Sequence, residues 1–493
     1  MSTTLTKSKY CRGFQCPKML WMDFHTPEER VKAANEAVLA NGNLVGELAR
    51  EYFGAYELVP FDYMKVMAAK TTELLDTGVE NIAEAAFLVD GLYCAVDILH
   101  RDGEGFDIVE VKSSTKVSEI YRQDMTFQYH VLQRAGVPVR KVCILYINNQ
   151  YVRQGELELD KLFVLEDYTD FVKENVAEVA ARIGKLKAYC ADEEEPVMDI
   201  GLQCVSPYGC DYFPYCGRHF PSPSIFNVHG LSQEKKFAYY HDGILSFADI
   251  IERAPHLSGK QQKQVDFEYY QKPDEVQKKA ISAFIAKLYY PLYHLDFETF
   301  AQPIPPYDGL KPYEQIPFQY SLHIEQEDGT LEHREFLAEA GTDPRRAVAE
   351  RLCADIPTDV CVLAYNMSFE KRVLKGLAEI FPDLSEHLLA IRANVRDLMI
   401  PFQKQHYYSR AMAGSYSIKQ VLPALCPGDP ELDYHTLEGV HNGEEASTTY
   451  ASLAGRPPEE VAEIRKNLLA YCRLDTLAMV KVLEKLRESV KEE

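Results

Sequence analysis

Apolar and polar positions interleave along Ala95–Leu99 and again along Phe106–Lys112, with the turn-rich run His100-Arg-Asp-Gly-Glu-Gly105 between them. This pattern predicts two β-strands, in each of which residues two apart share a face. They form the centre of a first section, residues 1–220, flanked by helical stretches and bounded by cysteine motifs. Pro221-Ser-Pro-Ser224 then breaks the chain. Residues 221–287 read as a connector of short helices: Glu234–Tyr240 precedes a turn at Gly243, and Ser246-x-x-Asp249 fits a helix start. A strand is predicted at Leu288–Asp296, opening a third section, 288–493, in which strand and helix patterns alternate. That alternation predicts an α/β fold. The charged tail Lys491-Glu492-Glu493 reads as solvated, and there is no internal repeat or low-complexity tract.

Composition changes the picture in three ways. At roughly 150 residues per domain, 493 residues suggest about three units, or two large ones with a connector. No run approaches the roughly 20 apolar residues of a membrane span, and Met1–Phe14 lacks the apolar core of a secretory signal. A cytoplasmic protein with no membrane partner is therefore expected. The net charge of −22 argues against metal-independent coating of nucleic acid, yet it suits sites built from clustered carboxylates.

Twelve cysteines in a reducing compartment predict free thiols or metal ligands. Eight of them (Cys11, Cys94, Cys143, Cys190, Cys353, Cys361, Cys426, Cys472) show no ligand-like spacing. Cys204-x5-Cys210-x5-Cys216 does, and Cys16 in Gly13-Phe-Gln-Cys16-Pro is a fourth candidate. By spacing alone the set suits zinc or an iron–sulfur cluster equally. Between these cysteines, Glu110 and Lys112 point to one face of their strand, and a neighbouring strand can bring Asp97 beside them. Two carboxylates for a divalent ion and a lysine for the phosphate are what metal-assisted phosphodiester hydrolysis needs.

Taken in order, Cys16, Asp97, Glu110-x-Lys112, the Gln128/Tyr129 helix and the cysteine triplet resemble the iron–sulfur branch of the RecB-like PD-(D/E)XK nucleases. The resemblance covers residues 1–220 and implies a restriction-endonuclease-like domain. It further implies a 4Fe–4S cluster on Cys16, Cys204, Cys210 and Cys216, metal at Asp97 and Glu110, and Lys112 acting on phosphate or water. Gln128 and Tyr129 stand closer together than the family's helix motif usually places them. Where the family commonly supplies an upstream histidine ligand, this chain has Glu47, an oxygen donor that favours Mg²⁺ or Mn²⁺.

A second acidic set lies in residues 288–493. Asp296 and Glu298 share a strand face, Glu370 follows the strand-to-helix run Val362–Phe369, and Tyr471 and Asp475 are i, i+4 on a helix. Four acids from three elements can hold two divalent ions around a phosphodiester, with Tyr471 orienting or deprotonating the attacking water. This set resembles the DEDD 3′–5′ exonucleases of the RNase H-like fold, in the version with a Tyr-x3-Asp third motif. Glu370 stands where that family usually has Asp, and His441 lacks the spacing of the catalytic-histidine variant.

The combination looks like a bacterial two-nuclease family, which implies a metal-dependent nuclease acting on nucleic acid, with DNA favoured. DNA repair, CRISPR adaptation or phage defence would be its setting, with a helicase or defence-system partner. No Gly-x4-Gly-Lys-Ser/Thr loop for ATP occurs in the chain. The Glu47 and Glu370 departures leave a second reading open, a nucleic-acid end-binding scaffold with one or both sites degenerate.

Overall fold

The structure is a computed structural model that describes residues 4–31 and 36–491; Glu492 and Glu493 of the charged tail lie outside the described residues. The fold is α/β. The described residues fall into two compact units, one within Met1–His219 together with Gln302–Glu314, the other within Phe220–Ala301 and Gln315–Glu493.

In the first unit the strands β1 (Leu5–Thr6), β2 (Glu57–Leu58), β3 (Asn81–Val89), β4 (Leu92–Asp102), β5 (Gly105–Lys112), β6 (Val139–Ile147) and β7 (Phe163–Asp167) share one sheet. Its order is β2-β3-β4-β5-β6-β7, with β1 parallel to β4 off that path. Gly103, at φ +64°, makes the tight β4–β5 turn that a side chain would strain. Strands β5 and β6 run parallel, so the chain must cross over between them, and the helix Glu119–Arg134 makes that crossing. Apolar residues cover both faces of the sheet. Cys94, Val96 and Ile108 join the core that includes Phe127 and Val131 of the crossover helix and Val179 of the helix Thr169–Ala191. Ile98, Val109 and Leu145 pack with Val45 and Ala49 of the helix Glu36–Ala49 and with Ile304.

The second unit holds β8 (Glu275–Val276), β9 (Leu292–Phe300), β10 (Ile316–Glu325), β11 (Leu331–Leu337), β12 (Cys361–Ala364), β13 (Val395–Asp397) and β14 (Tyr407–Tyr408). Five of these form a sheet in the order β11-β10-β9-β12-β13. Strands β10 and β11 are antiparallel to their neighbours, whereas β12 is parallel to both β9 and β13. Strand β9 begins at Leu292 and not at Leu288, because Pro291 has no N–H to give a ladder. Its alternation places Tyr293, Leu295 and Phe297 in a core with Val348, Leu374 and Leu377. Leu292 faces the other way, toward Leu474, Met479 and Val482 of the 33-residue helix Pro458–Val490.

Residues 221–287 contribute the helices Gln233–His241, Phe247–Arg253, Gly259–Tyr269 and Lys278–Ile285. Ile225, Phe247, Ile250 and Val265 close a small core there. Ser246 Oγ accepts from the Asp249 N–H at 3.0 Å while Asp249 Oδ2 accepts from the Ser246 N–H at 2.7 Å, the reciprocal cap legible in the sequence. No helix among the described residues is long and apolar enough to cross a membrane.

Candidate metal centres

In the first unit, adjacent antiparallel strands bring Asp97 of β4 beside Glu110 of β5. Glu110 is almost fully buried, and Lys112 Nζ lies 2.5 Å from its Oε1. Gln128 Nε2 donates to Glu110 Oε2 at 2.6 Å and to Asp124 Oδ1 at 3.1 Å. Lys7 Nζ spans the two acids, 3.5 Å from Asp97 and 3.3 Å from Glu110. Burial pushes the Glu110 carboxyl up, but Lys112 and Lys7 outweigh it and hold the group below the usual carboxylate range. Asp97, pushed up to about 6 by burial and then by Glu110, is the acid more easily protonated. Both acids line a cavity of about 260 Å³ with Lys112 and with Glu47, which is exposed on the helix Glu36–Ala49. Tyr129 is not brought into this group; it packs in the apolar core beneath the sheet.

The four cysteines are free thiols set in loops and short helical turns. Cys16 joins the helices Lys7–Gln15 and Pro17–His25, Cys204 ends a helical turn, and Cys216 closes the turn Phe213–Cys216. The Cys210 N–H donates to the Cys204 carbonyl at 2.8 Å, and that of Cys216 to the Tyr212 carbonyl at 3.0 Å. Burial, then the field of Cys16, Cys204 and Cys216, raises the Cys210 thiol to about 12. Burial also raises Cys204, to about 11, and there too Cys16 and Cys216 add to it. Polar side chains tie the two segments that carry these cysteines. Gln15 donates to the carbonyls of Gln203 and Tyr208 at 2.8 and 2.7 Å, and Arg12 and Arg30 both pair with Asp211.

In the second unit, Asp296 and Glu298 project from β9 toward the long C-terminal helix. Ligand atoms of Asp296, Glu298 and Cys472 lie within 4.8 Å of one another. Asp475, three residues along the helix, accepts from Tyr434 Oη at 2.6 Å. Tyr471 is buried, and its hydroxyl oxygen accepts from Lys419 Nζ at 3.4 Å. Glu370, in the first turn of the helix Ser368–Ile380, is 2% exposed, and its Oε2 has no hydrogen-bond partner among the described residues.

Burial raises all four acids, and Asp296 and Glu298 are raised further by their neighbours in the set. Asp296 is pushed far above its usual range by burial and then by Asp475, Glu298 and Glu370. Glu298 rises to about 8 through burial and Asp475, and Glu370 to about 8 through burial and Asp397. Asp475 rises only to about 6, because the Tyr434 hydroxyl and Lys419 offset its burial. Burial and the surrounding acids raise Tyr471 far above a free phenol, so the neutral hydroxyl is its resting form. His441 lies on the surface with its Nδ1 3.1 Å from Glu445.

Several groups here escape a reading of the sequence. Asp124 lies one turn before Gln128 on the same helix face, and helix periodicity could have found it. Cys472 precedes Asp475 by three residues, and the same periodicity includes it. Lys7, Lys419 and Tyr434 come from distant segments and leave no local signal.

Residues 293–417 match the domain family DUF2779, described as a domain of unknown function; the match takes in Asp296, Glu298 and Glu370 and stops before Tyr471 and Asp475. No curated protein matches the chain.

Proposed function

We propose that the chain is a divalent-metal-dependent nuclease with two separate sites, acting on nucleic acid with DNA favoured over RNA. The observation that carries this reading is the set of buried Glu298, Glu370 and Asp475 with half-buried Asp296, where the field of Lys419 reaches Glu298 and Asp475. Buried carboxylates without matching cations are costly unless a cation joins them. The unpartnered Glu370 Oε2 is a ready ligand position. The oxygen-rich donor set favours Mg²⁺ or Mn²⁺, with Cys472 as an added soft atom. Such an ion, once bound, supplies Lewis-acid stabilisation of phosphodiester oxygens and a water of lowered pKa. The chain's own part is to hold Asp475 through Tyr434 and to present a neutral Tyr471 hydroxyl that orients the attacking water. The sheet order, with two antiparallel strands on one side of β9 and two parallel ones on the other, supports an RNase H-like, DEDD-type reading of this unit. A 3′–5′ exonuclease then follows by analogy.

In the first unit, Asp97 and Glu110 on adjacent strands, with Lys112 over them and the crossover helix bringing Gln128, support the PD-(D/E)XK reading. Gln128 fixes the Glu110 carboxylate, and Lys112 is placed to meet a phosphate oxygen. Lys7 neutralises the two acids in the metal-free protein and adds a second cation to that meeting. Cys16 comes from one end of residues 1–219 and Cys204, Cys210 and Cys216 from the other, Cys16 adds to the raised thiols of those three, and a four-thiolate 4Fe–4S cluster suits that donor set.

The test is incubation of the full chain with end-labelled single- and double-stranded DNA and RNA, in Mn²⁺ or in EDTA. Cleavage with Mn²⁺ and none with EDTA is expected. An absence of cleavage on every substrate in Mn²⁺ would leave an end-binding scaffold in its place.

A further inference from the structure

Outside both acidic sites, a cavity of about 550 Å³ opens in the second unit, a volume within the usual range for small-molecule sites. Its wall is apolar where Phe284, Met367 and Ile400 line it, and cationic where Lys287, Lys371, Arg396 and Lys404 do. Lys371 lies one turn after Met367, so the start of one helix supplies both kinds of surface. None of the four cations forms an ion pair among the described residues; Arg396 spends one nitrogen on the carbonyls of Ala393 and Val395. In a chain of net charge −22, four cations without an ion pair around one cavity make it a favourable place for an anion. Asp397, the acid in the lining, already accepts the N–H groups of Asn366 and Met399 at 3.1 and 2.9 Å.

We propose that this cavity binds a nucleoside monophosphate unit, its phosphate among Lys287, Lys371, Arg396 and Lys404 and its base against the apolar wall. A bare phosphate leaves the wall unused, and a nucleoside leaves the cations unpaired. Asp397 lines this cavity and its charge also acts on Glu370, so the pocket adjoins the four-acid set. The choice of a nucleotide over another phosphorylated apolar molecule rests on the nuclease reading of that set; the anion pocket does not.

The experiment is calorimetric titration of the full chain in EDTA, where nothing is cleaved, with AMP, adenosine and inorganic phosphate in turn. AMP is expected to bind about tenfold or more tightly than either fragment, the scale of one charge-assisted hydrogen bond. Lys371→Glu and Arg396→Glu should each weaken AMP about tenfold or more. Lys287 and Lys404 are exposed, so Lys287→Glu and Lys404→Glu test the same charge without risk to the core. AMP binding no better than adenosine, or unmoved by the exposed charge reversals, would overturn the proposal. Competition with AMP by a 5′-phosphorylated oligonucleotide identifies the ligand as a chain end, and binding of AMP without such competition identifies a free nucleotide. Binding of AMP by a chain that cleaves nothing would sink the nuclease reading and keep the pocket. Cleavage without AMP binding would do the reverse.

Discussion

Metal affinity at the four-acid site should rise steeply with pH, because the acids must lose protons before they can act as ligands. Glu298 and Glu370 both titrate at about 8 in the folded chain. At pH 7 each is about nine-tenths protonated, and removing each proton costs about 1.4 kcal/mol. Two such protons together cost about 2.7 kcal/mol, or roughly a hundredfold in apparent affinity. Asp296, raised by burial and by the neighbouring acids, adds to this in the same direction. Mn²⁺ binding should therefore tighten roughly a hundredfold per pH unit between about pH 6.5 and 7.5, and Glu298 and Glu370 should add no further rise above about 8.5. The assay is Mn²⁺ titration followed by electron paramagnetic resonance, on a chain carrying Glu110→Gln so that the N-terminal acids contribute less. A constant affinity from pH 6.5 to 8.5 would refute the reasoning. The linked stability has a definite sign. The folded carboxyls hold protons that the unfolded ones, titrating at the ordinary 4.5, have lost. The metal-free chain should thus lose stability as pH rises from about 4.5 to about 8, and Mn²⁺ at pH 8 should restore it.

Two further outcomes follow from the same geometry. Tyr471→Phe removes the hydroxyl beside Lys419 and should lower kcat by ~10²–10⁴-fold with little change in KM, whereas His441→Ala at the surface should do far less; steady-state kinetics on a 3′-labelled strand separates them, and the opposite pattern would assign the histidine subclass. Anaerobically purified chain should be brown, with about four irons, and Cys210→Ser should bleach it; a colourless chain with one tightly held zinc would keep the ligands and discard the cluster.

The sequence exposes what is periodic and local. Glu110 and Lys112 share a strand face and Tyr471 and Asp475 a helix face, because a two-residue or four-residue spacing carries that information by itself. The Ser246–Asp249 cap is equally local. The start of β9 was harder to place: Leu288–Tyr290 are as strand-like as the residues after them, and only the missing N–H of Pro291 moves the boundary. Lys7 lies 90 residues from Asp97, and Tyr434 lies 41 from Asp475, so no spacing rule reaches them. Tyr129 shows the opposite failure: neighbouring positions on a helix point about 100° apart, so Gln128 enters the site while Tyr129 enters the core. The basic cavity left no trace at all, since Lys287, Lys371, Arg396 and Lys404 are scattered over more than a hundred residues of an acidic chain.

The most direct test of two independent hydrolytic sites is a comparison of Lys112→Ala, Asp296→Ala and the double variant on 3′- and 5′-labelled DNA in Mn²⁺. Lys112→Ala should abolish one cleavage pattern and leave mononucleotide release from the 3′ end intact; Asp296→Ala should do the reverse, and the double variant should cut nothing. Loss of all cleavage in either folded single variant, or digestion that survives in the double variant, would contradict the account.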